Sequence, residues 1–131
     1  MTLPASQRIE RLHYSRSQKM LELSFADGEA YRLSAEFLRV YSPSAEVRGH
    51  GPGQEVLQTG KASVAITGID RVGHYAVQIA FDDGHDSGIY SWSYLRDLAE
   101  QQDRYWQNYL QQLSAAGKSR DAELQVLHFQ P

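Results

Sequence analysis

One motif, written twice, constrains this chain more than any other feature. Phe25, Asp27, Gly28, Ser34, Phe37, Leu38 and Arg39 form the first copy; Phe81, Asp83, Gly84, Ser91, Tyr94, Leu95 and Arg96 form the second. The copies lie about 56 residues apart, with one extra residue before the second serine. Leu21, Leu23 and Phe25 share one face at the two-residue period of a strand, as do Tyr75, Val77, Ile79 and Phe81. Each run ends on Asp-Gly, for which a type I′ hairpin turn is expected because glycine supplies positive φ. Short return strands follow at 30–33 and 87–90. Ser34 and Ser91 then have the hydroxyl needed to cap a helix start. Pro43 stops the first helix. The second is expected from about Trp92 to Leu113, with Leu95, Leu98, Trp106, Tyr109, Leu110 and Leu113 along one face and Ala115-Ala116-Gly117 at its end.

Ile9, Leu12 and Tyr14 suggest an edge strand over 8–14, and Val64 to Val72 suggests another strand. The reading is α+β: small antiparallel units built from two strand-turn-strand-helix repeats, plus a longer C-terminal helix. With 131 residues, one domain over 8–117 is expected, between a flexible stretch at 1–7 and a flexible tail at 118–131. Leu124, Val126, Leu127 and Phe129 break the polarity of that tail and are candidates for docking.

Net charge is −3 with no long basic run, which argues against nucleic acid. No apolar run approaches the ~20 residues of a membrane helix, and the first residues lack a signal-peptide core. Cytoplasmic localisation is therefore expected. The absence of cysteine excludes disulfides, thiolate chemistry and cysteine-held clusters within this chain.

Ser42 to Gly53, with three glycines and two prolines, reads as a shaped loop. Neither Gly49-His50-Gly51-Pro52-Gly53 nor Gly60-Lys61 has the spacing of a phosphate loop. Arg39 and Arg96 each follow an apolar pair, at the edge of the buried face. Two roles stay open for them: an ion pair or carbonyl contact with the other repeat, or contact with an anionic ligand. His50 in the glycine loop and His85 after the second Asp-Gly could approach each other, with Glu46 or Asp86 as carboxylate. No histidine pair has the helical i, i+4 spacing of a zinc site. Serine, histidine and aspartate are present without a positioning elbow for the serine.

Phe37-Leu38-Arg39-Val40-Tyr41-Ser42-Pro43-Ser44-Ala45-Glu46-Val47, Val72-Gly73-His74-Tyr75-Ala76-Val77 and Asp83-Gly84-His85-Asp86-Ser87-Gly88-Ile89-Tyr90-Ser91 together resemble the gamma-butyrobetaine hydroxylase-like N-terminal domain family, long catalogued as a domain of unknown function. The resemblance covers about residues 8–99 and suits a stand-alone, bacterial-type member. It implies a module that precedes an oxygenase domain in the hydroxylases, looks like a zinc module in many members, and is fused in other relatives to ATPases of the iron–sulfur carrier type. The family's zinc pattern is Leu-Arg-x-x-Cys-x-Cys-x-x-Cys with a distant histidine. Here Ser42, Ser44 and Val47 stand at the cysteine positions, and only His85 matches a ligand. Serine is a poor zinc ligand and valine is none. The resemblance therefore implies a site lost or rebuilt without metal, and it brings no catalytic residues.

The expected function is a non-catalytic binding or protein-interaction module, linked to iron–sulfur or cofactor metabolism only through the resemblance. Its expected surface comprises Arg39, Ser42, Ser44, His50, His85, Arg96 and Trp106. No cofactor and no metal are expected. The partner is expected to be a protein, iron–sulfur carrier-like if the resemblance holds, with no nucleic acid and no membrane. Self-association through the C-terminal helix is open. Two alternatives remain: a metal-binding protein using His85 and His50 with carboxylates, and a small enzyme with a pocket under the glycine-rich loop.

Overall fold

Two three-stranded antiparallel sheets, each followed by a helix, account for both halves of the repeat. The computed structural model describes residues 2–122. The first sheet has the order β1 (Ile9–Ser15), β2 (Met20–Phe25), β3 (Ala30–Ser34); the second has β4 (Ile66–Val72), β5 (Ala76–Phe81), β6 (Gly88–Ser91). Among the described residues, the sheets are accompanied by the helices α1 (Ala35–Val40), α2 (Ala45–Arg48), α3 (Trp92–Glu100) and α4 (Gln102–Ala116). The α+β architecture anticipated from the repeat is the one observed.

The repeat extends one strand further than the motif. Ile9 pairs with Phe25 and Ile66 with Phe81, and in both sheets a bulge follows that first pair. Ser34 and Ser91 accept the amides of Phe37 and Tyr94 at 3.0 and 3.1 Å, as helix caps should. The inward residues of both central strands, with Leu33, Phe37, Leu38, Tyr90, Leu95 and Leu98, form one core.

The Asp-Gly turns are not type I′. Gly28 N donates to Phe25 O, and Phe25 N donates to Glu29 O; Gly84, Phe81 and His85 repeat the pattern. Only the glycines take positive φ, at 89° and 90°. These are three-residue loops with a left-handed glycine in a bulge. The extra residue leaves each aspartate in an ordinary conformation, where its Oδ1 accepts the amide two residues on, Glu29 or His85.

The expected long helix divides at Gln101, whose φ and ψ of −104° and 14° are not helical. Its two halves face different targets. Leu95, Leu98 and Ala99 enter the main core, whereas Tyr109 and Leu113 close on Val40 in a second cluster. The loop expected over 42–54 contains the single turn α2, capped by Ser44.

Residues at both ends of the described chain make contacts. Ala5–Gln7 form a 3-10 turn and Leu3 packs against the core. Gly117 caps α4 in the left-handed conformation. Beyond it, Ser119 and Arg120 carbonyls accept the amides of Gly60 and Ala62. Leu124, Val126, Leu127 and Phe129 lie outside the described residues.

Candidate functional site

Each repeat lends its arginine to the other. Arg39 Nε donates to Asp83 Oδ2 at 2.8 Å, and Arg96 Nη1 donates to Asp27 Oδ1 and Oδ2 at 3.2 and 3.0 Å. Arg96 also pairs with Glu100 at 3.0 Å and lies over the rings of Phe25 and Tyr31. Asp83 receives Lys61 Nζ as well, at 2.6 Å. Burial pushes the Asp83 carboxyl up, but hydrogen bonds from Lys61, the His85 amide and Arg39 outweigh it and hold the group at about 2. Of the two roles open for the arginines, the structure realises the contact between repeats.

A second polar cluster ties the 42–48 segment to the second hairpin. Ser42 Oγ lies 2.8 Å from His85 Nε2, and His85 Nδ1 lies 3.2 Å from Glu46 Oε2. Ser44 Oγ meets Ser87 Oγ at 2.7 Å, and Ser87 donates to Glu46 Oε1 at 3.0 Å. Ser42 Oγ also accepts the Ser44 amide. One assignment satisfies the ring: Nδ1–H donates to Glu46, and Nε2 accepts the Ser42 hydroxyl. The chain Ser42–His85–Glu46 has the connectivity of nucleophile, base and orienter. Ser42, however, is 0% exposed and its oxygen already holds a backbone amide, so the arrangement locks two segments together. Gly88 is shaped to this cluster: a Cβ there would stand 2.5 Å from Ser42 Oγ.

These contacts relocate most of the surface expected from sequence. Arg39, Ser42, Ser44, His85 and Arg96 are buried and paired within the fold. They are the polar side chains left at the edge of a small core, where fold-building contacts consume them. Trp106 is half-buried, edge-on to Phe37 and near Tyr109. His50 alone of the set is exposed. The structure brings His85 to Glu46, not to His50, and no group of three metal-ligating side chains occurs among the described residues.

A concave feature lies elsewhere. A cleft of about 840 Å3 opens between α4 and residues 47–58. Tyr41, Tyr94, Tyr105 and Tyr109 wall it, and Arg48 and Val56 flank it. All four phenols donate within the fold: Tyr94 to Tyr41 O and Tyr41 to Tyr105 O at 2.6 Å, Tyr109 to Gln58 O and Tyr105 to Asp97 Oδ2 at 2.7 Å. Burial pushes the Tyr41 and Tyr94 phenols up, and Tyr109 up to about 12, so these donors stay protonated at neutral pH. The rings are thereby fixed before any ligand arrives. Sequence reading reached the aromatic part of the last helix, with Trp106 and Tyr109, but did not join it to Tyr41 and Tyr94, because the wall's residues are scattered over three segments. The signal available was the tyrosine count, eight in 131 residues.

The model of the gamma-butyrobetaine hydroxylase-like N-terminal family matches residues 12–96. The chain belongs to this family. The matched span runs from β1 through Arg96 and so includes both repeats, while α4 and its cleft wall fall beyond it. Among solved structures, a solution NMR structure is 50% identical, covering 92% of this chain and 91% of its own, with a TM-score of 0.75. Another solution structure is 47% identical over 87% and 90%, with a TM-score of 0.76. A crystal structure of a protein of unknown function from Acidithiobacillus ferrooxidans, assigned to the DUF971 family, is 35% identical. It covers 74% of this chain and 98% of its own, with a TM-score of 0.63. No functionally curated protein matches. No helix among the described residues is long and apolar enough to cross a membrane.

Proposed function

We propose that this chain is a non-catalytic binding module that offers the tyrosine-walled cleft to a protein partner. The observation that carries the reading is the preorganised wall: four rings held by their own hydroxyls around an open concavity. Val56, 53% exposed beside it, supplies apolar surface at the rim. The polar clusters, by contrast, are engaged within the fold. The family resemblance makes an iron–sulfur carrier-like protein the first partner to test.

Affinity capture from native lysate tests this with wild-type protein, Val56→Asp and His50→Ala. Both substituted residues are exposed, so neither change disturbs the core. A protein retained by wild type and His50→Ala but lost with Val56→Asp supports the cleft. Equal recovery by all three, or none above background, defeats it.

A small-molecule site is the second reading, because Arg48, Glu55 and Val56 carry the cleft wall to either side of the glycine-rich loop. Its volume suits a metabolite. A compound that co-purifies with wild type and is lost on Arg48→Ala would favour this reading.

A further inference from the structure

The fold uses every phenol of the cleft wall but leaves other polar groups there unused. Asn108 and Gln112 line the cleft from α4, one helical turn apart. Both are exposed, and neither side-chain amide has a hydrogen-bond partner among the described residues. Four residues of helix advance about 6 Å. Groups two residues apart on one edge of an extended chain are separated by about 6.6 Å. Each side-chain amide carries an acceptor and two donors, so the pair matches two successive main-chain positions on that edge.

Across the cleft, the 54–58 segment offers main chain. Val56 N donates to Val47 O, Val56 O accepts Gln58 Nε2, and Gln58 O accepts the Tyr109 phenol. Leu57 lies between them and lines the same cleft. Neither its N–H nor its C=O is hydrogen-bonded among the described residues. Such groups take their partners from solvent or from another chain. An incoming helix pairs its own N–H and C=O groups internally and has none to give. An extended segment has free ones along both edges.

Charge narrows the occupant further. Among the described residues, the charged side chains lining the cleft are Arg48, Glu55 and Asp97. Glu55 accepts the Gly53 amide at 3.3 Å, and Asp97 accepts the Tyr105 phenol at 2.7 Å. Arg48 makes no ion pair among the described residues. Its guanidinium lies 6.0 Å from the centroid of Tyr94, with a 3.4 Å contact to that hydroxyl. The planar fork is free to take a carboxylate.

We infer that the partner enters the cleft as an extended acidic segment. Its main chain pairs with Asn108 and Gln112 along one edge and with Leu57 along the other, and one of its carboxylate side chains meets Arg48. This rests on the cleft being the partner's site and adds what the cleft recognises there: main chain and one negative charge.

Two experiments on the full chain test it. The first repeats the lysate capture with Arg48→Glu and with Asn108→Ala plus Gln112→Ala, all at exposed positions. A partner that depends on Val56 should be lost with Arg48→Glu and recovered about tenfold less by the double variant. A Val56-dependent partner recovered in full by both leaves the cleft as the partner's site and overturns the extended acidic segment. The second experiment needs no native partner. Short random peptides displayed on phage are selected on wild-type protein, and the selected sequences are synthesised with acetyl and amide ends. They should share an acidic residue, and converting it to its amide should weaken binding about tenfold to wild type but not to Arg48→Ala. N-methylating peptide amides two residues apart should weaken binding about tenfold to wild type and little to the double variant. Peptides without a shared acidic residue, peptides that bind as helices, peptides that bind Val56→Asp equally well, or no selected peptide at all would each overturn the inference.

Discussion

Arg39 of the first repeat donates to Asp83 of the second at 2.8 Å, and the relationship is returned by Arg96 and Asp27. The exchange joins the two halves through their turns and helices, but the two pairs are unequally supported. Arg96 has Glu100 one turn on, whereas Pro43 stands at the corresponding place after Arg39. Arg39 Nη1 is left buried without a partner among the described residues.

Removing the two aspartates should therefore have different effects. Asp83→Asn strips a buried arginine of its carboxylate and should cost about 2–3 kcal/mol. Asp27→Asn leaves Arg96 with Glu100 and should cost about 1 kcal/mol. Urea unfolding of both variants decides the order. Equal losses would show that the pairs are energetically alike despite their geometry.

The same aspartate gives the stability a pH dependence. Its carboxyl is held at about 2 in the fold against an ordinary 3.8. A depressed carboxylate stabilises the fold above its unfolded value, and that contribution fades as pH falls from about 4 to about 2. After allowance for partial exposure it amounts to about 1 kcal/mol. Urea midpoints at pH 7, 4 and 2 should show the decline, and Asp83→Asn should flatten it.

Much of this arrangement was legible in the sequence because it is local. Ser34 and Ser91 cap helices through hydroxyls three residues from the amides they accept, and alternation placed β2 and β5. The arginine exchange could be framed but not decided, since it depends on how two distant hairpins face each other. The break at Gln101 was hidden because one apolar stripe serves two clusters in succession. The cleft was hidden because a tyrosine spacing does not tell a core ring from a cavity wall.

The glycine-rich loop offers a sharper test of local shape. A Cβ on Gly49 would lie 2.2 Å from the Gln54 carbonyl oxygen, and φ there is +71°. Gly84, at φ +90°, has open space around the same position. Gly84→Ala should cost about 1 kcal/mol for backbone strain alone. Gly49→Ala should cost about 2–4 kcal/mol, because backbone must also move. Amide chemical shifts over 47–56 should change widely in the second variant and hardly at all in the first.

The Ser42–His85 contact turns the family resemblance into a chemical prediction. Ser42 and His85 already meet at 2.8 Å, Ser44 is hydrogen-bonded to Ser42, and Val47 is buried one turn further on. These are the positions at which the resemblance implies three cysteines and a histidine in zinc-binding members. Thiolates there would supply the soft ligands that two hydroxyls and an isopropyl group do not. The triple variant Ser42→Cys, Ser44→Cys, Val47→Cys should bind one zinc per chain, with a melting temperature that falls on adding a chelator. Adding His85→Ala should weaken that binding by at least tenfold. In the wild-type background, His85→Ala should cost about 2–3 kcal/mol, since it leaves a cavity and an unpaired Ser42 hydroxyl. Glu46→Gln should cost less than about 1 kcal/mol, because the Glu46 side chain is 68% exposed. Elemental analysis and chemical denaturation measure both sets, and a triple variant that folds without zinc would show that these positions no longer converge on a metal-sized centre.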